Sequence, residues 1–111
     1  MRLLSAFLIT MAGAAMAQQP PIAKVSALSS GGLLLNGSAV TVQALEVEFE
    51  RLKAIGGAVW YYRENPSREP PPQALDVIER VVRHQLPVSV SSKADFSDYL
   101  DENRRSRPRT P

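Results

Sequence analysis

The side chains that could do chemistry in this 111-residue chain are few, and their spacing does not build a catalytic site. His84 is the only histidine and there is no cysteine, so the chain lacks the usual ligand set for a transition metal. A single histidine at the end of a helix is commonly a solvated residue that the helix dipole favours. We therefore expect no metal, no cofactor and no catalytic residue.

The carboxylates and serines show no catalytic pattern either. The glutamates of 46–50 fall on the polar face of a predicted helix, and the acidic residues of 95–102 do not follow the spacing of a calcium-binding loop. The adjacent residues Ser91 and Ser92 have no base at a recognisable spacing, which a nucleophilic serine would need. These residue types favour a protein that binds over one that catalyses.

The aromatic run Trp60, Tyr61 and Tyr62 is the most informative group of side chains. Alternate residues of a strand point to opposite faces, so Trp60 and Tyr62 should share one face and Tyr61 the other. One interpretation is a core strand with one amphipathic ring at the surface. The other is an aromatic platform that binds a peptide or a glycan.

A strand, a turn and a helix at the centre of the chain form the unit around which the other elements are arranged. Asn36-Gly37 follows a short apolar strand and is a strong signal for a hairpin turn, because both residues tolerate positive φ. Thr41 is placed to cap a helix over 42–55. Gly56 should end this helix in the left-handed conformation.

Two amphipathic helices are predicted from residues that recur every three or four positions. The apolar stripe of the first helix consists of Val42, Leu45, Phe49, Leu52 and Ile55. In the second helix, over 73–85 with Pro72 near its first position, the apolar residues are Leu75, Ile78 and Val82, with Ala74, Val77 and Val81 beside them.

The remaining strands complete an α+β fold in the order ββαβαβ. Residues 22–28 alternate and read as a strand, and 58–62 read as an interior strand buried on both faces. Residues 88–91 alternate cleanly and indicate a strand with one wet side, near an edge. We expect a two-layer sandwich over 22–100, a mixed sheet with two helices on one face, and one helical turn within 95–100.

The N-terminal segment has the layout of a secretory signal peptide. A basic residue precedes an uncharged apolar run, and Ala15-Met16-Ala17 forms a cleavage site ahead of a Gln/Pro break. Residues 1–17 are therefore expected to be removed, leaving 18–21 as a flexible lead. An uncleaved membrane anchor is the alternative. The expected location is therefore periplasmic or secreted, and because the chain has no cysteine, the bacterial periplasm fits better than a disulfide-rich secreted module.

The net charge of +2 is distributed unevenly. Four arginines lie in the last eight residues, whereas residues 18–103 carry 8 basic and 11 acidic side chains. A mildly acidic body does not suit a nucleic-acid partner. The Arg/Pro-rich segment 101–111 is predicted to be disordered. Contact with a membrane is expected only through an uncleaved leader or through this tail, whose arginines could meet anionic head groups.

The central unit resembles the periplasmic domain of the ExbD/TolR family of biopolymer-transport proteins. The resemblance covers about residues 25–91 and rests on Gly32-Leu-Leu-Leu-Asn-Gly, Val40-Thr41, Leu45 and Leu52. It implies the strand, turn and capped helix already described, followed by a strand, a second helix and a final strand. It also implies a domain that dimerises and works with an inner-membrane proton channel and a periplasmic partner.

Two features of that family have no counterpart in this chain. The family's transmembrane helix carries an aspartate for proton coupling, whereas residues 3–16 contain no acidic side chain. The family's Ala-Asp dipeptide after the central strand is replaced by 62–65, Tyr-Arg-Glu-Asn. The resemblance therefore implies the fold and a partner-binding surface, and not the proton-coupled motor.

The sequence thus predicts an exported interaction domain of ExbD/TolR type, linked to envelope transport, that binds a protein partner or a second copy of itself. The last strand would offer free backbone groups for strand addition or dimerisation. The expected partner-binding residues are Trp60, Tyr61, Tyr62, Val88, Ser89 and Val90. The alternative is a small exported enzyme or ligand-binding protein whose site follows no recognised motif.

Overall fold

The computed structural model describes residues 20–109, which form two helices, a five-stranded sheet and a separate two-stranded hairpin. The strands are β1 (Ile22–Ala27), β2 (Leu33–Leu35), β3 (Ser38–Ala39), β4 (Ala58–Arg63), β5 (Val88–Ser91), β6 (Asp98–Leu100) and β7 (Ser106–Pro108), and the helices are α1 (Val42–Ile55) and α2 (Pro72–Arg83). The predicted signal peptide and its cleavage site lie outside the described residues. Neither of the two helices is long and apolar enough to cross a membrane.

The main sheet is mixed, with the strand order β3-β2-β1-β4-β5. β1, β4 and β5 are parallel neighbours, whereas β2 runs antiparallel to both β1 and β3. The connections between the parallel strands contain the two helices, as parallel pairing requires. The α+β class is confirmed, and β4, which carries the aromatic run, is an interior strand as predicted.

The unit formed by β2, β3 and α1 agrees with its sequence signals. Asn36 and Gly37 join β2 to β3 with φ angles of 51° and 89°, the double positive φ of a tight hairpin turn. The Thr41 hydroxyl accepts a hydrogen bond of 3.1 Å from the amide of Ala44 and so caps α1. Gly56 ends the helix with φ 73° in the left-handed region.

One face of the sheet carries the hydrophobic core, and both helices cover it. The register places Val25 beside Tyr61 on this face, and the helices bury Leu45, Phe49, Leu52, Ala74, Val77 and Val81 against it. Each fully buried Leu, Val or Phe side chain contributes roughly 1.5–3 kcal/mol relative to exposure. The predicted placement of two helices on one face is confirmed.

The predicted apolar stripes are wider than the buried ones. Leu75 and Val82 of α2 are exposed, and so is Ile55 in the last turn of α1. The buried stripe of α2 consists of Ala74, Val77 and Val81, and its centre lies about 105–130° around the helix from Leu75 and Val82. Because α2 leads into β5, the last strand of the sheet, there is no further strand beneath the outer part of its apolar arc.

The last strand of the main sheet alternates as predicted, and its more exposed side is the one that carries the valines. Val88 and Val90 are exposed, whereas Ser91 is buried. The cause is the segment after β5, which covers the serine face with residues that were expected to be disordered or helical.

The prediction of a disordered tail over 101–111 is wrong for the part that the structure describes. Residues 106–108 form β7 and pair with β6, and 98–100 form β6 in place of the expected helical turn. The composition of the tail is Arg/Pro-rich, but hydrogen bonds to two carboxylates order it. Asp101 accepts bonds from the amides of Asn103 and Arg105 in the hairpin turn, and Asp98 anchors the hairpin to β5.

Candidate functional site

The structure divides the six predicted partner-binding residues between the two faces of the sheet. The strand register places one group on the helix face and the other on the opposite face: Tyr61, Val88 and Val90 on the first, and Trp60, Tyr62 and Ser89 on the second. The predicted separation of Tyr61 from its two aromatic neighbours is therefore correct. No single surface contains all six residues.

The opposite face of the sheet is covered by the C-terminal segment. The guanidinium of Arg109 lies over the ring of Trp60, with Cζ 3.9 Å from the ring centroid. Phe96 packs edge-on against Tyr62 at a centroid distance of 6.3 Å. Burial lowers the pKa of Arg109, which fits a cation held against an indole rather than in water. Arg109 thus occupies the ring that a stacking peptide or glycan would need.

A buried carboxylate holds this cover in place. Asp98 is 2% exposed and accepts bonds from the hydroxyls of Ser91 (2.6 Å), Ser92 (2.5 Å) and Ser106 (2.6 Å), and from the amide of Ser92 (3.0 Å). Burial opposes ionisation of Asp98, but the bonds from Ser106, Ser91 and Ser92 outweigh it and hold the pKa well below its usual range. The cluster ties β5, β6 and β7 together.

A second polar cluster joins the two helices. Glu46 accepts a 2.9 Å bond from Arg80 and lies 2.7 Å from Nε2 of His84, and Arg80 also donates to Asp76 at 2.8 Å. The hydrogen bonds from His84 and then from Arg80 lower the pKa of Glu46. Glu46 and His84 were predicted to be solvated, but the charge-assisted bonds between them draw both side chains into the helix interface.

Sequence reasoning missed the roles of Asp98, Arg109 and Glu46. Two of these roles had a weak signal in the sequence. Ser91-Ser92 precedes Asp98 by a short loop, which lets the serine hydroxyls reach its carboxylate. His84 needs a hydrogen-bond partner where its helix is covered, and Glu46 is that partner. Nothing in the sequence paired Arg109 with Trp60, because the two residues are far apart in the chain.

The outer edge of β5 presents the backbone groups of its valines and not those of Ser89. The carbonyl of Pro87 accepts from the amide of Val59 in β4, and backbone polar groups of successive residues point to alternate sides of a strand. The N–H and C=O of Ser89 therefore face β4, and those of Val88 and Val90 face outward. The backbone of Ser89 is therefore engaged within the sheet, and strand addition at this edge would use the backbone groups of Val88 and Val90.

An exposed apolar surface runs along this edge. Leu75 and Val82 lie on the side of α2 that faces away from Arg80 and α1, and Val88 and Val90 are exposed on the adjoining face of β5. Ile78, between them on the helix, lines a common cavity with Val90. We call Leu75, Val82, Val88 and Val90 the α2–β5 surface. Exposed apolar side chains grouped on neighbouring elements commonly mark an interaction site.

Comparisons with known proteins do not assign this surface. No protein-family model matches the chain, and no curated protein matches it. Within residues 20–109, no group of three or more histidine and carboxylate side chains is arranged to hold a metal ion. The chemistry of the site therefore has to be argued from the described residues themselves.

Proposed function

We propose that this protein is an exported periplasmic interaction domain, similar to the periplasmic domain of ExbD/TolR proteins, that acts in envelope transport by self-association through the α2–β5 surface. The observation that carries the proposal is the set of exposed valines and leucine on α2 and β5. The signal-peptide layout of residues 1–17 supports export of a chain that begins at Gln18.

A second copy of the chain is the partner that fits this surface. A twofold axis beside β5 would pair two edge strands antiparallel and extend one sheet across both copies. The same axis would bring Val82 of one α2 against the apolar side of the other. Glu79 and Arg83 flank this side with opposite charges, so an antiparallel pair of helices would place each Glu79 near an arginine of the other copy.

The two polar clusters support a binding role rather than a catalytic one. Asp98 is buried and surrounded by serine hydroxyls that donate to it, and Glu46 is shared between Arg80 and His84. Carboxylates held by several donors stay ionised and make poor proton acceptors. Their bonds run between different elements, which is the arrangement expected of structural links.

The test compares two valines that differ only in their place on the molecule. Val82 on α2 and Val47 on α1 are both helical and are 67% and 65% exposed. Val82→Glu should raise the dissociation constant of the dimer at least tenfold, because it buries a charge in the interface. Val47→Glu should leave it unchanged. Sedimentation velocity of the purified variants over a concentration series measures both.

A backbone variant separates strand pairing from helix contact. Val88→Pro removes one outward amide at the first residue of β5, where proline is tolerated in an edge strand, and it should also weaken the dimer. A wild-type protein that sediments as a monomer at millimolar concentration would overturn self-association. Equal behaviour of Val82→Glu and Val47→Glu would place the interface elsewhere.

A further inference from the structure

A cavity of about 480 Å³ lies on the helix face, beyond the carboxyl ends of β4 and β5. Its volume falls within the range of small-molecule sites. The apolar part of the lining is formed by Ile78 of α2, Val90 of β5 and Leu100 of β6. Carboxyl ends of parallel strands are where ligands commonly bind in sheets of this kind, because the loops diverge there. The cavity therefore lies where ligands commonly bind in such sheets, and part of its lining is apolar.

Tyr61 brings one hydrogen-bond donor to this cavity. Its side chain is buried, at 6% exposure, and its hydroxyl forms no hydrogen bond with any residue of 20–109. Burial raises the pKa of Tyr61, and the charge of nearby Arg63 only partly opposes this effect. The phenol is therefore protonated at neutral pH and available as a donor.

Arg63 brings a fixed guanidinium to the same cavity. Its Nη2 donates to the carbonyls of Pro66 and Arg68, which holds the group in place. Its Nε is buried and has no acceptor among the described residues, and its Nη1 bonds to none of them. Two side chains thus present donors without a partner among the described residues to one cavity, and the buried Nε of Arg63 costs free energy as long as it has none.

The acidic residues of the rim do not supply this acceptor. Asp101 bonds to Arg107 and to backbone amides of its own turn. Glu102 also lines the cavity, but its side chain is not paired with any cation of the described residues. Its negative charge disfavours a ligand with several charges and tolerates one with a single charge. Arg104, also on the rim, adds a positive charge at the mouth.

We infer that this cavity binds a small monocarboxylate with an apolar chain. One carboxylate oxygen accepts from the Tyr61 hydroxyl and the other from Nη1 of Arg63, the guanidinium nitrogen that is neither buried nor bonded to the loop carbonyls. The apolar chain lies along Ile78, Val90 and Leu100. This binding site adjoins the proposed self-association surface and shares Val90 with it, whereas Val82 and Val88 do not line the cavity.

Octanoate and octanol are the probes that test this inference, because they share a chain and differ in the carboxylate. Calorimetric titration of the purified protein should give saturable, one-to-one binding of octanoate and at least tenfold weaker binding of octanol. In nitrogen–proton correlation spectra, the Nε–H signal of Arg63 should shift as octanoate saturates. Absence of octanoate binding at millimolar concentration, or equal binding of octanol, would overturn the inference.

Three variants and a control locate the site. Tyr61→Phe removes only the hydroxyl and should weaken octanoate binding about tenfold, the loss expected for one hydrogen bond to a charged group. Arg63→Lys keeps the charge but cannot both bond to the loop carbonyls and reach the ligand, and it should weaken octanoate binding at least as much. Glu102→Gln should strengthen it. Arg51→Gln alters an exposed arginine of α1 outside the cavity and should leave octanoate affinity unchanged; unaltered affinity in Tyr61→Phe and Arg63→Lys would overturn the inference.

Discussion

The two faces of the sheet are closed by different physical means. On the helix face, α1 and α2 bury apolar side chains such as Phe49 in a dry core. On the opposite face, the β6–β7 hairpin is held by the carboxylate of Asp98 and by Arg109 over Trp60. The packing on the helix face is stabilised by the apolar area that it removes from water. The cover on the opposite face is stabilised by a few directed contacts, so the loss of one contact weakens it.

This difference predicts how each face fails. Loss of a core side chain should lower the stability of the whole domain, since helices and sheet share one core. Loss of a polar anchor should release the hairpin while the core stays folded, because local and global opening have different free energies. The variants below test this contrast, from the largest expected effect to the smallest.

Phe49→Ala should have the largest effect, because Phe49 is fully buried at the centre of the core. Truncation removes transfer free energy and leaves a cavity, and such changes cost about 3–5 kcal/mol. Urea unfolding followed by circular dichroism measures the loss. The matched control is Val47→Ala on the exposed side of the same helix, which should stay within about 0.5 kcal/mol of the parent. Equal midpoints for the two variants would contradict the burial of Phe49.

The same contrast explains which parts of the molecule the sequence could predict. Periodicity located α1, because Leu45, Phe49 and Leu52 recur at helical spacing and all three are buried. Periodicity also located α2, but it could not say that the sheet ends at β5. A helix at the edge buries only part of its apolar arc, so Leu75 and Val82 remained exposed.

The hairpin face was harder to predict because its contacts are long-range and polar. Composition made the Arg/Pro-rich tail look disordered, since it has too little apolar area to fold alone. Asp98 compensates for this small apolar area because it accepts hydrogen bonds from Ser91 and Ser106, which lie on either side of it in the chain. The cavity beside Tyr61 depends on the return of this same hairpin to the helix face, so it could not be predicted either.

Asp98→Asn should release the hairpin at a cost of about 2 kcal/mol, in the range for hydrogen bonds to a charged group. The amide can accept fewer bonds from the serine hydroxyls, and it loses the charge that strengthens them. Hydrogen exchange at Tyr99 and Arg107, which are paired across the hairpin, should become faster, while exchange in α1 stays slow. Glu50→Gln, at an exposed carboxylate of α1, is the control and should change neither.

The pH dependence of the hairpin follows from the same carboxylate. The pKa of folded Asp98 is held below the usual aspartate value of 3.8, so the open state binds more protons in the window beneath that value. The stabilisation is fully present above about pH 4 and is lost as the pH falls through the folded pKa. Hairpin exchange in the parent, corrected for its intrinsic rate, should speed up below about pH 4. A parent with the same pH profile as Asp98→Asn would contradict an ionised Asp98.

Arg109→Ala should have the smallest effect, about 1 kcal/mol, the range for a cation over an indole that is partly removed from water. The Nε and Nη2 atoms of Arg109 are buried without an acceptor among the described residues, and the guanidinium lies over the Trp60 ring. The emission of Trp60, the only tryptophan, should shift to longer wavelength as the ring meets water. Arg105→Ala removes an exposed arginine of the same tail and should leave the emission unchanged.

Arg109→Lys separates stacking from charge in this contact. A lysine keeps the positive charge but lacks the planar group that stacks on an indole, so its emission should lie between those of the parent and Arg109→Ala. Added salt should shift the parent little, because a contact buried against a ring is poorly screened. If Arg105→Ala shifted the emission as far as Arg109→Ala, the net charge of the tail would hold the hairpin. Long-range electrostatic attraction by the arginines of the tail would then cover the opposite face, and the directed contacts that distinguish this face from the helix face would not be needed.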